Sequence, residues 1–154
     1  MLTRRRAFAV FLGTGLSLIT ACSGSPSPGT VDLTISAADD INPDAAGRPS
    51  PVVLRIYQLA ADTQFQAADF FQLFDKETPT LGPDLAAREE VTVAPGSTRK
   101  ITIPLKPNAQ TIGIAASFRD IDRASWRAAI DVPPTKTTRL KAEVQKLQVT
   151  LAKT

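Results

Sequence analysis

Histidine is absent from this chain of 154 residues, and cysteine, tryptophan, tyrosine and methionine occur once each. Without histidine there is no imidazole to serve as general base in a hydrolytic triad and none to ligate a metal. A single cysteine excludes an internal disulfide and a thiolate zinc cluster, so packing alone must stabilise the fold. One tryptophan and one tyrosine make a thin platform for stacking sugar rings. Acidic pairs do occur, at Asp39-Asp40 and Glu89-Glu90. Neighbours in a strand point to opposite faces, however, and Asp39-Asp40 stands at a loop entrance where solvation or capping is its expected role. No catalytic residue, no metal site and no cofactor are expected, and the chain does not read as an enzyme.

A lasting excess of positive charge is missing too. The chain carries 18 basic and 15 acidic residues, but three of the basic ones are Arg4, Arg5 and Arg6, and no acidic residue precedes position 22. Beyond that point the signs balance, so no basic field is available to attract nucleic acid.

What is present begins with those arginines. They precede an apolar run from Ala7 to Thr20, too short for the roughly 20 residues that cross a bilayer, and the pattern is that of a cleaved export leader over residues 1–21. The leader ends Ile19-Thr20-Ala21-Cys22, which is similar to a lipobox: an aliphatic residue, two small residues and a cysteine. Cys22, the only thiol, is therefore the expected lipidation site. Acyl chains contribute roughly 0.8 kcal/mol per buried methylene, enough for stable anchoring when several share one residue. Residue 23 is serine and not aspartate, which by resemblance to lipoprotein sorting rules favours the outer membrane. The arginine run also loosely resembles a twin-arginine signal, and the export route stays open.

Residues 22–30 are mostly Ser, Gly and Pro and read as a flexible tether. Period-two alternation follows. Val31, Leu33 and Ile35 mark one strand and Val52, Leu54 and Ile56 a second; similar runs lie at 91–93, 101–105, 112–118, 126–132, 140–144 and 147–151. Seven to eight short strands with turns such as Pro95-Gly96 and Pro133-Pro134 predict a mainly β fold, an antiparallel β-sandwich spanning residues 31–154. A helical insertion is expected near residues 62–88. There Ala67, Phe70, Phe71 and Phe74 fall at helical spacing, predicting an amphipathic helix over 62–75 whose aromatic face packs on the sheet or is offered to a partner. A second short helix is expected over 80–88.

The connection between the first two strands, residues 38–50, is too long for a simple hairpin, and long ordered loops tend to be functional. Asn42-Pro43-Asp44 is turn chemistry, Gly47 permits positive φ, and Pro49 with Pro51 stiffens the return. Arg48 offers a planar bidentate donor. Composition alone leaves a projecting binding loop and a solvated connection equally open.

The stretch from Asn42 to Pro51, the following Val-Val-Leu-Arg-Ile-Tyr-Gln-Leu to Leu59, Phe65 and Ala68-Asp69-Phe70-Phe71 together resemble the type VI secretion outer-membrane lipoprotein family, the TssJ type. Pro95-Gly96, Phe118-Arg119-Asp120 and Ala124-Ser125-Trp126-Arg127 resemble its later blocks. The resemblance implies a transthyretin-like β-sandwich with added helices, held at the periplasmic face of the outer membrane by lipid, such as palmitate, on Cys22. It further implies that the loop contacts the periplasmic part of the large inner-membrane component, the TssM type, in a complex bridging the envelope. By position the contact residues would be Asn42, Pro43, Asp44, Gly47, Arg48, Pro49 and Ser50. The competing expectation, a periplasmic ligand-binding lipoprotein using the sandwich's concave side, rests on fold-level analogy alone.

Overall fold

The computed structural model describes residues 26–154; the leader, Cys22 and Ser23 lie outside the described residues. Eight strands form two four-stranded sheets. One sheet has the order β4-β1-β7-β8, built from β4 (Thr98–Pro104), β1 (Thr30–Ala37), β7 (Thr137–Gln145) and β8 (Gln148–Lys153). The other has the order β3-β2-β5-β6, from β3 (Leu85–Val93), β2 (Val52–Leu59), β5 (Thr111–Ala116) and β6 (Arg127–Asp131). Every pairing within the sheets is antiparallel except β1 with β7, which run parallel from Thr30↔Thr137 to Ala37↔Val144. Alternation alone does not reveal this, because parallel and antiparallel partners want the same period of two.

The alternating residues do what their period requires. Val31, Leu33 and Ile35 of β1, with Leu140 and Val144 of neighbouring β7, pack with Leu54 and Ile56 of β2 and Ile112 and Ile114 of β5 in one buried cluster. Each such side chain contributes roughly 1.5–3 kcal/mol on leaving water. Gln58 stands buried at the end of β2 and is satisfied there: its amide donates to the Pro104 carbonyl at 3.2 Å and its oxygen accepts from the Lys106 N–H at 2.7 Å. Along one side the two sheets are stitched together at Ser125, whose N–H donates to Leu147 O at 2.9 Å and whose carbonyl accepts from Val149 N–H at 3.0 Å.

Strand β5 is buried on both faces, which explains its unbroken apolar run. Its outer face and that of β2 are covered by the helical insertion, α1 (Thr63–Ala67), α2 (Phe70–Asp75) and α3 (Glu77–Leu81), followed by a 3-10 turn at Gly82–Asp84. The single helix expected over 62–75 is thus two helices. Ala68 turns extended (φ −68°, ψ 145°), and Asp69 opens a new helix with a capping box, accepting from Gln72 N–H at 2.8 Å while the Gln72 side chain accepts from Asp69 N–H at 2.9 Å. The break rotates the aromatic face. Phe65 and Leu73 pack inward with Tyr57 and Leu81, Phe70 and Phe74 stack at a centroid distance of 4.2 Å, and Phe71 is left 63% exposed. Nor is there a helix over 80–88: α3 ends at Leu81, and β3 has begun by Leu85.

Two arginines tie these short helices to the sheet by donating to their unpaired carbonyls. Arg127 donates to Phe65 O at 3.0 Å and to Ala68 O. Arg55 donates to Leu73 O and Phe74 O, lies over the Phe74 ring at 4.4 Å and pairs with Glu90 at 3.0 Å. Glu77 receives Arg88 at 2.9 Å on one oxygen and Arg55 at 3.5 Å on the other. Beside them burial pushes the Tyr57 phenol up to about 12, so it stays protonated throughout the physiological range.

Candidate partner-binding site

The long loop leaves β1 at one end of the sandwich and is anchored from below. Ala38 N–H donates to Val144 O at 2.9 Å and Ser50 N–H to Ile41 O at 3.0 Å, while Ile41 is fully buried in the core. Asn42 adopts φ +47°, a left-handed conformation that asparagine tolerates better than most residues. Only 3% exposed, it reaches three other segments. Its backbone N–H donates to Lys146 O at 2.8 Å, its amide donates to Pro51 O at 2.7 Å, and its side-chain oxygen accepts from Arg119 N–H at 2.8 Å.

Above this base the tip is wound around one carboxylate. One oxygen of Asp44 accepts from Ala46 N–H at 2.9 Å and Arg48 N–H at 3.0 Å; the other takes Arg48 Nε at 2.8 Å. Asp44 N–H donates to Arg48 O and Gly47 N–H to Asp44 O, both at 2.9 Å, and Gly47 supplies the required left-handed turn at φ +77°. The Arg48 backbone N–H, with further help from its guanidinium and from Ala46, holds the Asp44 carboxyl below the ordinary aspartate value.

The seven residues picked out in the sequence therefore divide into two groups. Asn42 and Ser50 are buried and position the loop; Pro43, Asp44, Gly47, Arg48 and Pro49 form its surface. Two further segments stand beside it, one following β5 (Arg119, Asp120, Arg123) and the β7–β8 turn (Lys146, Leu147), and the three enclose an open cleft of ≈ 780 Å³. Arg123 donates through Nε to Asp120 at 2.6 Å, which holds the Asp120 carboxyl down and the arginine up. These cleft residues lie 70 or more positions from the loop in sequence, and no local pattern announces them as its neighbours. Asp39 and Asp40 are exposed at the loop entrance, and Glu89 and Glu90 lie on β3, with Glu90 engaged by Arg55 and Arg88.

The family described as type VI secretion lipoprotein, VasD, EvfM, TssJ matches residues 29–151. The chain belongs to that family. Among solved structures, the type VI secretion lipoprotein TssJ1 from Pseudomonas aeruginosa is 37% identical, with a TM-score of 0.79 over 82% of this chain and 97% of that one. A chain in the structure described as T6SS protein TssM C-terminal domain (869-1107) from EAEC is 33% identical, with a TM-score of 0.66 over 80% of this chain and 97% of that chain. A chain of a type VI membrane complex is also 33% identical, with a TM-score of 0.70 over 80% and 98%. Curated proteins offer no significant match. Membership in the type VI secretion lipoprotein family accords with the two-sheet architecture, the helical insertion and the order of motifs along the chain.

Proposed function

We propose that this protein is an outer-membrane lipoprotein, anchored by lipid on Cys22, that binds the periplasmic part of a TssM-type inner-membrane component through the loop at residues 43–49. The observation that carries this reading is the placement of the loop. The chain enters the sandwich at Gly29, whose N–H donates to Pro134 O at 2.7 Å, and strand β1 begins at Thr30, one residue ahead of the predicted boundary. The loop leaves from the opposite end of the same strand, which at roughly 3.3 Å per residue lies on the order of 26 Å away. The point where the described chain enters the sandwich and the loop thus lie at opposite ends of β1, which supports a reading in which the lipid holds one side and the partner the other. Chains 33% identical to this one occur in the structures described as a TssM C-terminal domain and a type VI membrane complex, which supports a partner of that type.

Asp44 and its hydrogen bonds hold the tip in one shape before any partner arrives, which lowers the ordering cost of binding. Excising residues 40–48 would remove buried Ile41 and Asn42 together with the tip, so a cleaner test exchanges residues 44–48 for Gly-Ser-Gly. That variant should melt as the parent does and fail to retain the periplasmic domain of the TssM-type component in a pull-down. Retention equal to that of the parent would sink the loop assignment.

A further inference from the structure

The cleft beside the loop carries an unequal charge. Arg119, Arg123 and Lys146 line it, and exposed Arg48 follows lining Gly47 in the chain and pairs with lining Asp44, against two lining carboxylates, Asp44 and Asp120. Asp122, in the same segment as Asp120, does not line it. Both carboxylates are already engaged. Asp44 is wrapped by the loop backbone and Arg48 Nε, and Asp120 is taken by Arg123. The cations are less committed. Among the described residues neither the Arg119 guanidinium nor the Lys146 ammonium has an ion-pair partner. Arg48 spends only Nε on Asp44, and its side chain is 80% exposed, so both terminal nitrogens point donors outward. The backbones under two of these cations are fixed: Arg119 N–H and Lys146 O are both bonded to Asn42. Half-buried Leu147 supplies an apolar floor.

We propose that this cleft receives an acidic stretch of the partner chain, whose carboxylates answer Arg119, Lys146 and the outer edge of Arg48. The inference rests on the reading of the loop as the partner surface and adds the chemistry of what is bound. A balanced domain that concentrates uncommitted guanidinium and ammonium groups at one pole selects carboxylates there, because arginine meets a carboxylate bidentately and like-charged segments are repelled. Leu147 and the prolines suit an acidic segment that also carries apolar side chains.

The test uses the full chain purified in detergent and, as probe, the periplasmic domain of the TssM-type component from the same organism. Affinity is measured at about 0.1 M and about 1 M salt, between which the screening length falls from about 10 to about 3 Å. For the parent, binding should weaken at high salt. The double variant Arg119→Glu with Lys146→Glu should bind about tenfold or more weakly at low salt and lose most of that salt dependence, while Arg119→Lys with Lys146→Arg should stay close to the parent. Both side chains are exposed, and unchanged melting of the variants verifies that the fold is intact. If the double glutamate variant binds as the parent does while the 44–48 exchange does not, the acidic-segment proposal fails and the loop reading stands. If the 44–48 exchange also binds normally, or the parent does not bind the probe, both fail. A double variant that loses affinity with a flat salt response in the parent would likewise overturn the charge argument.

Discussion

Alanine at position 42 is the sharpest test of how the loop is held. Asn42→Ala removes the side-chain oxygen that accepts from Arg119 N–H and the amide that donates to Pro51 O, leaving two half-buried backbone groups without partners. Each orphaned group costs roughly 1–2 kcal/mol in such a setting. The backbone stays at φ +47° because Ile41 and Ser50 clamp both ends of the turn, and a left-handed residue with a Cβ and no amide adds about 1 kcal/mol. The expected loss is therefore about 3–5 kcal/mol, a large share of the 5–15 kcal/mol typical of a domain. Asn42→Gly forfeits the same hydrogen bonds but relieves the backbone, and should recover up to about 1 kcal/mol of that. Urea unfolding followed by the fluorescence of Trp126, the single tryptophan, reads both variants. A loss below about 1 kcal/mol for alanine, or glycine no better than alanine, would refute the claim that Asn42 works as an internal strut. Folded Asn42→Ala should also bind the partner more weakly, although Asn42 itself is out of a partner's reach.

Three further outcomes are expected. Because Asp44 is held below its ordinary value of 3.8, its contribution to the loop is complete above that pH and is lost as pH falls through the depressed value; hydrogen exchange at the Ala46 and Arg48 amides should quicken only in that acid window, and protection unchanged there would contradict it. At Gly113 a Cβ would meet the Phe65 ring at 3.0–3.2 Å, so Gly113→Val should cost about 2 kcal/mol by overpacking and disturb the near-UV signal of Tyr57 and its neighbours; a thermal melt equal to the parent's would mean the helices ride more loosely than drawn. Cys22→Ser should abolish palmitate labelling and shift the protein out of the membrane fraction, and continued sedimentation with membranes would count against the lipid anchor.

Much of the sandwich could be read directly. Period-two runs at Val31, Val52, Ile101 and Leu140 became strands because each buries one face in the core, and that requirement is local to the strand. The turn chemistry at Asn42 and Gly47 was equally readable, since positive φ is a property of single residues. The insertion was harder. Helical spacing across Ala67, Phe70 and Phe74 masked the competing pattern Asp69-x-x-Gln72, a capping box in plain view, and the cap won because it satisfies two backbone groups at once. Gly82-Pro83 ended the helical stretch earlier than expected and released residues 85–93 to the sheet. In the binding region the loop could be found in sequence but its neighbours could not. Arg119, Asp120, Arg123 and Lys146 meet it only when β5, β7 and β8 deliver their ends to one pole, and that is a fact of sheet order and not of spacing.

Among the described residues, strand β1 joins the point where the chain enters the sandwich to the segment that carries the proposed contact loop, and it lies in the middle of its sheet, paired to β4 from Thr30 to Ser36 and to β7 from Thr30 to Ala37. If the protein bridges the envelope as proposed, tension entering at Thr30 would pull along the axis of β1. Hydrogen bonds on both flanks would then be loaded in shear and would have to yield together, whereas a strand pulled sideways opens one bond at a time. Resistance to such a pull is set by the rate of unfolding and not by equilibrium stability. Under the proposed two-point attachment, this topology would set the hydrogen bonds on both flanks of β1 against a pull along the strand.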